Sequence, residues 1–106
     1  MRSLSWPAAA LAAALAACAP QPAAKVYPVV IDNLAFAQTT VTVRVGDTVQ
    51  WANKDLFLHS ATASDASFDL NLPAGASGQV VLSRAGVISY ICRYHPGMKG
   101  QIVVRN

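Results

Sequence analysis

The chain, 106 residues long, reads as an all-β sandwich of about seven to eight strands. Short β-branched runs recur along it with Gly, Asp, Asn and Pro between them. The segment Thr39 to Val45 alternates strictly, with Val41, Val43 and Val45 on one face and Thr40, Thr42 and Arg44 on the other. Beyond residue 25 no stretch carries a convincing helical period, and no internal repeat or charge run interrupts the pattern.

The first 25 residues stand apart. Arg2 supplies a positive start, Trp6 to Ala17 form a short apolar run, and small residues surround Cys18. This is the layout of a secretory signal peptide over residues 1–17, and the run is too short to span a bilayer as a helix. A buried Ala-rich helix of the domain is disfavoured by Pro7, Pro20 and Pro22 around it. Residues 18–25 then form a Pro/Ala tether, semi-rigid and roughly 20 Å in reach at about 3.1 Å per residue.

The domain expected over residues 26–106 begins with an apolar, β-branched run in Val26 to Leu34. Thr39 to Val45 follows, Gly46-Asp47 turns the chain, and Thr48 to Asn53 resumes with Val49 and Trp51 on a common face. Leu58 to Ala63 is a weaker strand, Gln79 to Leu82 another, and Val87 to Cys92 and Gly100 to Arg105 complete the set. Thr62 to Ala76, rich in Ser, Ala, Asp and Gly, is the least readable part. So small a domain buries a modest core, so a single large hydrophobe such as Trp51 weighs heavily.

Without the leader, seven basic residues stand against five aspartates, a net charge of +2. That charge is too small and too dispersed for a nucleic-acid partner, and it permits a mildly acidic protein partner. Two cysteines leave two readings. A disulfide between Cys18 and Cys92 suits an exported protein. Alternatively, Leu15-Ala16-Ala17-Cys18 resembles a bacterial lipobox, in which Cys18 becomes the lipidated N-terminus and Cys92 is left as a lone thiol. A lone thiol in an oxidising compartment invites oxidation unless a metal holds it.

The segment Tyr90-Ile91-Cys92-Arg93-Tyr94-His95-Pro96-Gly97-Met98 places a thiolate, an imidazole and a thioether at the spacing C-x-x-H-x-x-M. Each alone is unremarkable: a single His is usually a surface or core residue, a single Met packing, a single Cys a small buried hydrophobe. Together with His59, however, one site consumes both histidines, the only cysteine outside the leader and the only methionine beyond Met1. Thiolate and thioether suit Cu(I), imidazole suits both oxidation states, and His₂Cys with a weak axial Met is the blue-copper set. Zinc rarely takes a thioether, and the C-x-x-C-H of a c-type haem is absent. A Cys92/His nucleophile pair lacks an evident orienting group, and so small a sandwich leaves little room for a substrate cleft. Four protein ligands leave a metal no open position for substrate, so no enzyme is expected.

Val41 to Asp55, the following His59, and Cys92-Arg93-Tyr94-His95-Pro96-Gly97-Met98-Lys99-Gly100 together resemble a cupredoxin of the amicyanin/plastocyanin-like group. The match spans about Val26 to Val104. It implies a Greek-key β-sandwich holding one copper ion, cycling between Cu(I) and Cu(II), at His59, Cys92, His95 and Met98. It further implies that His95 passes the electron at the surface and that the backbone N–H of Ser60 donates to the Cys92 sulfur. The departures are Ser60 where Asn is frequent, Arg93-Tyr94 where Thr or Ser and then Pro usually follow the cysteine, Leu58 where proline is common, and a short stretch between His59 and Cys92.

Arg93 has two readings: a cation beside the thiolate that raises the reduction potential, or a solvated charge pointing away. Leu56, Phe57, Leu58, Tyr94 and Pro96 form either an apolar docking collar around His95 or simple loop packing. The resulting expectation is a monomeric single-electron carrier in the bacterial periplasm or cell envelope, anchored to a membrane by lipid at Cys18. By resemblance its partners are a cytochrome c or a copper or quinoprotein oxidoreductase. The alternative is a copper-handling protein, a chaperone or resistance factor that transfers the ion itself; a copper-free structural sandwich is a third reading.

Overall fold

A computed structural model describes residues 3–5 and 22–106. Most of the expected signal peptide, the candidate lipidation site Cys18 and the first part of the expected tether lie outside the described residues. Pro22 to Lys25 run exposed and without regular structure into the domain. Among the described residues no helix is long and apolar enough to cross a membrane.

Among the described residues, nine strands form two sheets. In chain order they are β1 (Val26–Asp32), β2 (Ala35–Phe36), β3 (Thr40–Arg44), β4 (Thr48–Asn53), β5 (His59–Ala63), β6 (Asp69–Leu72), β7 (Ser77–Val81), β8 (Gly86–Cys92) and β9 (His95–Arg105). One sheet has the order β2-β1-β4-β7 and the other β3-β9-β8-β5-β6. Two pairs, β1 with β4 and β3 with β9, are parallel, and the rest are antiparallel. The sandwich architecture is the one expected from the alternating pattern.

Two strands, β2 and β6, lie outside the seven runs read from the sequence. β6 lies within the least readable stretch, where Phe68, Leu70 and Leu72 alternate with Asp69 and Asn71 in a short run among Ser, Ala, Asp and Gly, and it is held by pairing to β5. β2 is only two residues long and pairs back onto β1 across Asn33 and Leu34, both at positive φ (50° and 56°). Val45 is another difference: β3 ends at Arg44, so Val45 turns outward while Val41 and Val43 stay buried.

The segment Cys92 to Met98 also departs from expectation. The pattern placed a loop from Cys92 to Met98, with the strand resuming at Gly100. Instead Cys92 pairs directly with His95, so Arg93-Tyr94 is a two-residue turn. The next pair back is Ile91 with Lys99, which leaves Pro96, Gly97 and Met98 as an irregularity on β9. A bulge of this kind bends one strand and re-aims its side chains; here Met98 is buried while Pro96 and Gly97 are exposed.

The core is built from the facing sides of the sheets. Trp51 is fully buried, its ring centroid 5.3 Å from Phe68 and 5.4 Å from Tyr90, and Phe36 stands edge-on to Tyr90 at 4.8 Å. Val29, Ile31, Val49, Leu72 and Ile102 fill the space around them. Burial pushes the Tyr90 phenol above its usual pKa. Tyr90 pairs with Gly100 on β9, and its ring lies where a side chain at residue 100 would sit.

Gly100→Ala is therefore expected to cost about 1–3 kcal/mol through overpacking, as its Cβ would overlap the Tyr90 ring. Urea denaturation of the metal-free protein checks this; an unchanged midpoint would mean that Tyr90 moves aside freely.

Candidate metal centre

Three side chains converge at one end of the sandwich. His59 opens β5, Cys92 closes β8 and His95 opens β9. One ligand atom from each lies within 4.8 Å of the others. Cys92 Sγ is 3.6 Å from His59 Nδ1 and 3.7 Å from His95 Nδ1, and the two imidazole centroids are 4.9 Å apart. Cys92 and His59 are fully buried and His95 is half-buried. Cys92 is a free thiol in the structure. Met98, three residues beyond His95, is buried in the same strand.

The frame explains why these atoms meet. β5 and β8 are neighbours, so His59 and Cys92 come from adjacent strands of one sheet, while the tight β8–β9 turn returns the chain to His95. The 54–58 connection before His59 is pinned by Asn53, which is buried and fully satisfied. Its Nδ2 donates to Phe57 O and Leu72 O, both at 2.8 Å, and its Oδ1 accepts from Asp55 N–H at 2.9 Å.

Asp55 fixes the His59 ring. Its Oδ2 lies 2.8 Å from His59 Nε2. With Nε2–H donating to the carboxylate, Nδ1 keeps its lone pair and faces the sulfur. The same carboxylate accepts from the N–H groups of Asn33 and Leu34 at 2.8 and 2.9 Å, tying the β1–β2 turn to the site. The Leu34 N–H first, then the His59 contact and the Asn33 N–H, hold Asp55 below the usual carboxylate range against the opposing effect of burial.

A second set of hydrogen bonds surrounds Cys92. Ser60 N–H donates to Cys92 Sγ at 3.4 Å. Ser60 Oγ accepts from Arg93 N–H at 2.7 Å and lies 2.9 Å from Thr62 Oγ1, which donates to Asp69 Oδ1 at 2.9 Å. Asp69 Oδ2 closes the ring by accepting from the Arg93 guanidinium at 2.7 Å. Thr62 first and Arg93 second draw the Asp69 carboxyl below its usual pKa.

Arg93 is therefore not an isolated cation beside the thiolate. Its exposed guanidinium is ion-paired with Asp69 and sits 5.3 Å over the Tyr94 ring, whose hydroxyl donates to Asn71 Oδ1 at 2.6 Å. An exposed, paired charge acts weakly on the sulfur, since solvent screens it. Leu56, Phe57, Leu58, Tyr94 and Pro96, near His59 or His95 in sequence, are all exposed, with Leu56 91 % and Phe57 56 % exposed.

The donor set fits copper. Two imidazole nitrogens and a cysteine sulfur converge on one small volume, a buried thioether stands on the strand that carries one of them, and no carboxylate belongs to the convergent group. Asp55, Thr62 and Asp69 carry no functional motif in the sequence. Of these only Asp55 left a trace, as an acidic residue four positions before His59.

Removing the Asp55 carboxylate (Asp55→Ala) should weaken copper affinity by about 10–100-fold, the usual cost of losing a partner that orients a ligand. Competition with a chelator of known affinity measures it, and unchanged affinity would show that His59 is held by packing alone. Depressed carboxylates stabilise the fold above their unfolded pKa and lose that contribution as pH falls through the folded one. The metal-free domain should accordingly lose melting temperature below about pH 4, and Asp69→Asn should flatten that decline.

Comparison with known proteins agrees with this geometry. The cupredoxin-like domain family matches residues 7–104. Amicyanin of Paracoccus versutus is 28% identical over 80 residues, covering 70% of this chain and 61% of its own length. Amicyanin-alpha of Methylorubrum extorquens is 31% identical over 110 residues, covering 98% of this chain and 92% of its own. Among solved structures, the Cu(I) form of an amicyanin variant with a methionine replaced by alanine superposes with a TM-score of 0.67 at 26% identity, covering 82% of this chain and 87% of that one. With its two-sheet sandwich and its histidine–cysteine–histidine cluster, the chain belongs to the cupredoxin family.

Proposed function

We propose that this cupredoxin is a single-electron carrier of the bacterial cell envelope, with a type 1 copper held by His59, Cys92, His95 and Met98. The observation that carries the reading is the convergence of three donor atoms within 4.8 Å on a frame of paired strands and buried hydrogen bonds. Bound copper supplies one reversible electron. The chain's own residues supply constancy of position. Asp55 fixes the His59 ring, Ser60 donates to the Cys92 sulfur, and the two-residue turn fixes His95 relative to Cys92. Little rearrangement then accompanies gain or loss of charge.

His95 is half-buried, and the exposed Leu56, Phe57, Leu58, Tyr94 and Pro96 stand around that end. Such a collar suits brief docking with little desolvation of charge. Redox proteins such as a cytochrome c, or a copper or quinoprotein oxidoreductase, are the proposed partners. Four protein ligands leave no position for substrate, so the protein acts as a carrier and not as an enzyme. The leader and the lipobox-like segment around Cys18 support export and lipid anchoring.

The copper-loaded, oxidised protein should absorb strongly in the red, keep its metal through repeated reduction and reoxidation in the presence of a chelator, and lose the band in Cys92→Ser. A colourless protein that yields copper to the chelator would instead be a copper-handling protein. Phe57→Ser should slow electron transfer to a partner redox protein while leaving the reduction potential unchanged. Stopped-flow kinetics with several such proteins test this, and equal rates throughout would remove the collar's docking role.

A further inference from the structure

At the end of the sandwich opposite Cys92, the strand registers gather a rim that the copper site does not use. Thr48 pairs with both Val26 and Val81, Arg44 with Arg105, and Gly86 with Val104. Val45 N–H donates to Arg105 O and Gly46 N–H to Leu82 O. These pairings bring Lys25, Arg44, Arg84 and Arg105 to one end, all of them exposed. The exposed carboxylate set against them is Asp65, near Arg84. Asp47 is buried and accepts from the N–H groups of Lys25 and Arg44, and its charge acts on both side chains, so the rim sets four cations against two carboxylates. The copper half is balanced by contrast, with Lys54, Arg93 and Lys99 against Asp32, Asp55 and Asp69.

Apolar side chains are interleaved with the cations. Val26, Val45, Val81 and Val87 are 58, 42, 59 and 63 % exposed. A groove of about 610 Å³ lined in part by Phe68, Val80, Leu82 and Ile88 opens beside Arg84. Cations interleaved with exposed aliphatic groups are the chemistry that an anionic bilayer surface accepts, the first pairing with headgroups and the second reaching the boundary of the acyl layer.

We infer that this rim rests on an anionic lipid bilayer. The inference builds on the lipid-anchored reading of Cys18. The tether joins the domain at the rim itself, because Lys25 N–H is held by Asp47 Oδ1 at 2.9 Å and Lys25 O accepts from Thr48 N–H at 2.9 Å. A lipid on Cys18 therefore keeps the rim within roughly 20 Å of the membrane, and the cations close the remaining gap once inside a Debye length of about 8 Å. An acidic protein would satisfy the cations but would account neither for the exposed valines nor for the position of the tether. With the rim on the membrane, His95 and its apolar collar face the aqueous side, where redox proteins dock.

The test uses the full-length product as isolated from cells, bound to lipid nanodiscs that carry a headgroup spin-labelled lipid and read by amide NMR without copper. In phosphatidylcholine–phosphatidylglycerol discs the amides of Val26, Val45, Arg84 and Val87 should broaden and those of Leu56, Phe57 and Tyr94 should not. The contrast should fall in phosphatidylcholine alone. Arg44→Gln, Arg84→Gln and Arg105→Gln should each weaken the contact roughly fivefold. Equal broadening at both ends, or a pattern indifferent to headgroup charge, overturns the inference and leaves anchoring intact. Anchoring is read separately, from lipid mass on Cys18. If Cys18 carries no lipid the anchored reading fails, and the rim is judged by the same broadening at low salt, whose absence overturns it as well.

Discussion

The copper end depends on Ser60. It is fully buried, and its two polar groups face two different parts of the site. Its N–H donates to Cys92 Sγ, and its hydroxyl accepts from the N–H of the next residue along, Arg93. One residue of β5 thereby sets both the position of the sulfur and the path of the turn that leads to His95. Thr62 and Asp69 continue the chain of hydrogen bonds, and the Arg93–Asp69 ion pair returns it to the turn. Each bond is modest, about 0.5–1.5 kcal/mol net. Their value lies in closing a ring, so that no member moves without breaking two contacts.

This ring reconciles an apparent conflict in the sequence. Ser60 and Arg93 stand where the resemblance leads one to expect Asn and a small hydroxyl residue. The structure shows the two departures compensating each other. The shorter Ser60 side chain accepts the Arg93 backbone N–H directly, and the long Arg93 side chain reaches Asp69 on β6. The strand that carries Asp69 gave the weakest signal in the chain, which is why neither it nor its role was visible beforehand.

What was legible follows from chemistry. Cys92, His95, Met98 and His59 stood out because each is nearly alone of its kind outside the leader. The alternation of Val41 and Val43, and of Val49 and Trp51, announced the two-sided strands that bury them. Asp55, Thr62, Asp69 and Asn53 stayed hidden because surface-like polar residues gain meaning only from pairing distant in sequence. Nor did the pattern reveal that β9 begins at His95. Pro96-Gly97 reads as a loop, and only the Cys92–His95 pairing turns it into a bulge within a strand.

In the proposed carrier, two imidazoles and a thiolate are held in place by the protein before the electron arrives or leaves. X-ray absorption at the copper edge, recorded on the same sample in both oxidation states, tests it most directly. A rigid site predicts two nitrogen donors and one short sulfur in both states, with bond lengths that barely change. Loss of an imidazole on reduction, or added oxygen donors on oxidation, would contradict it.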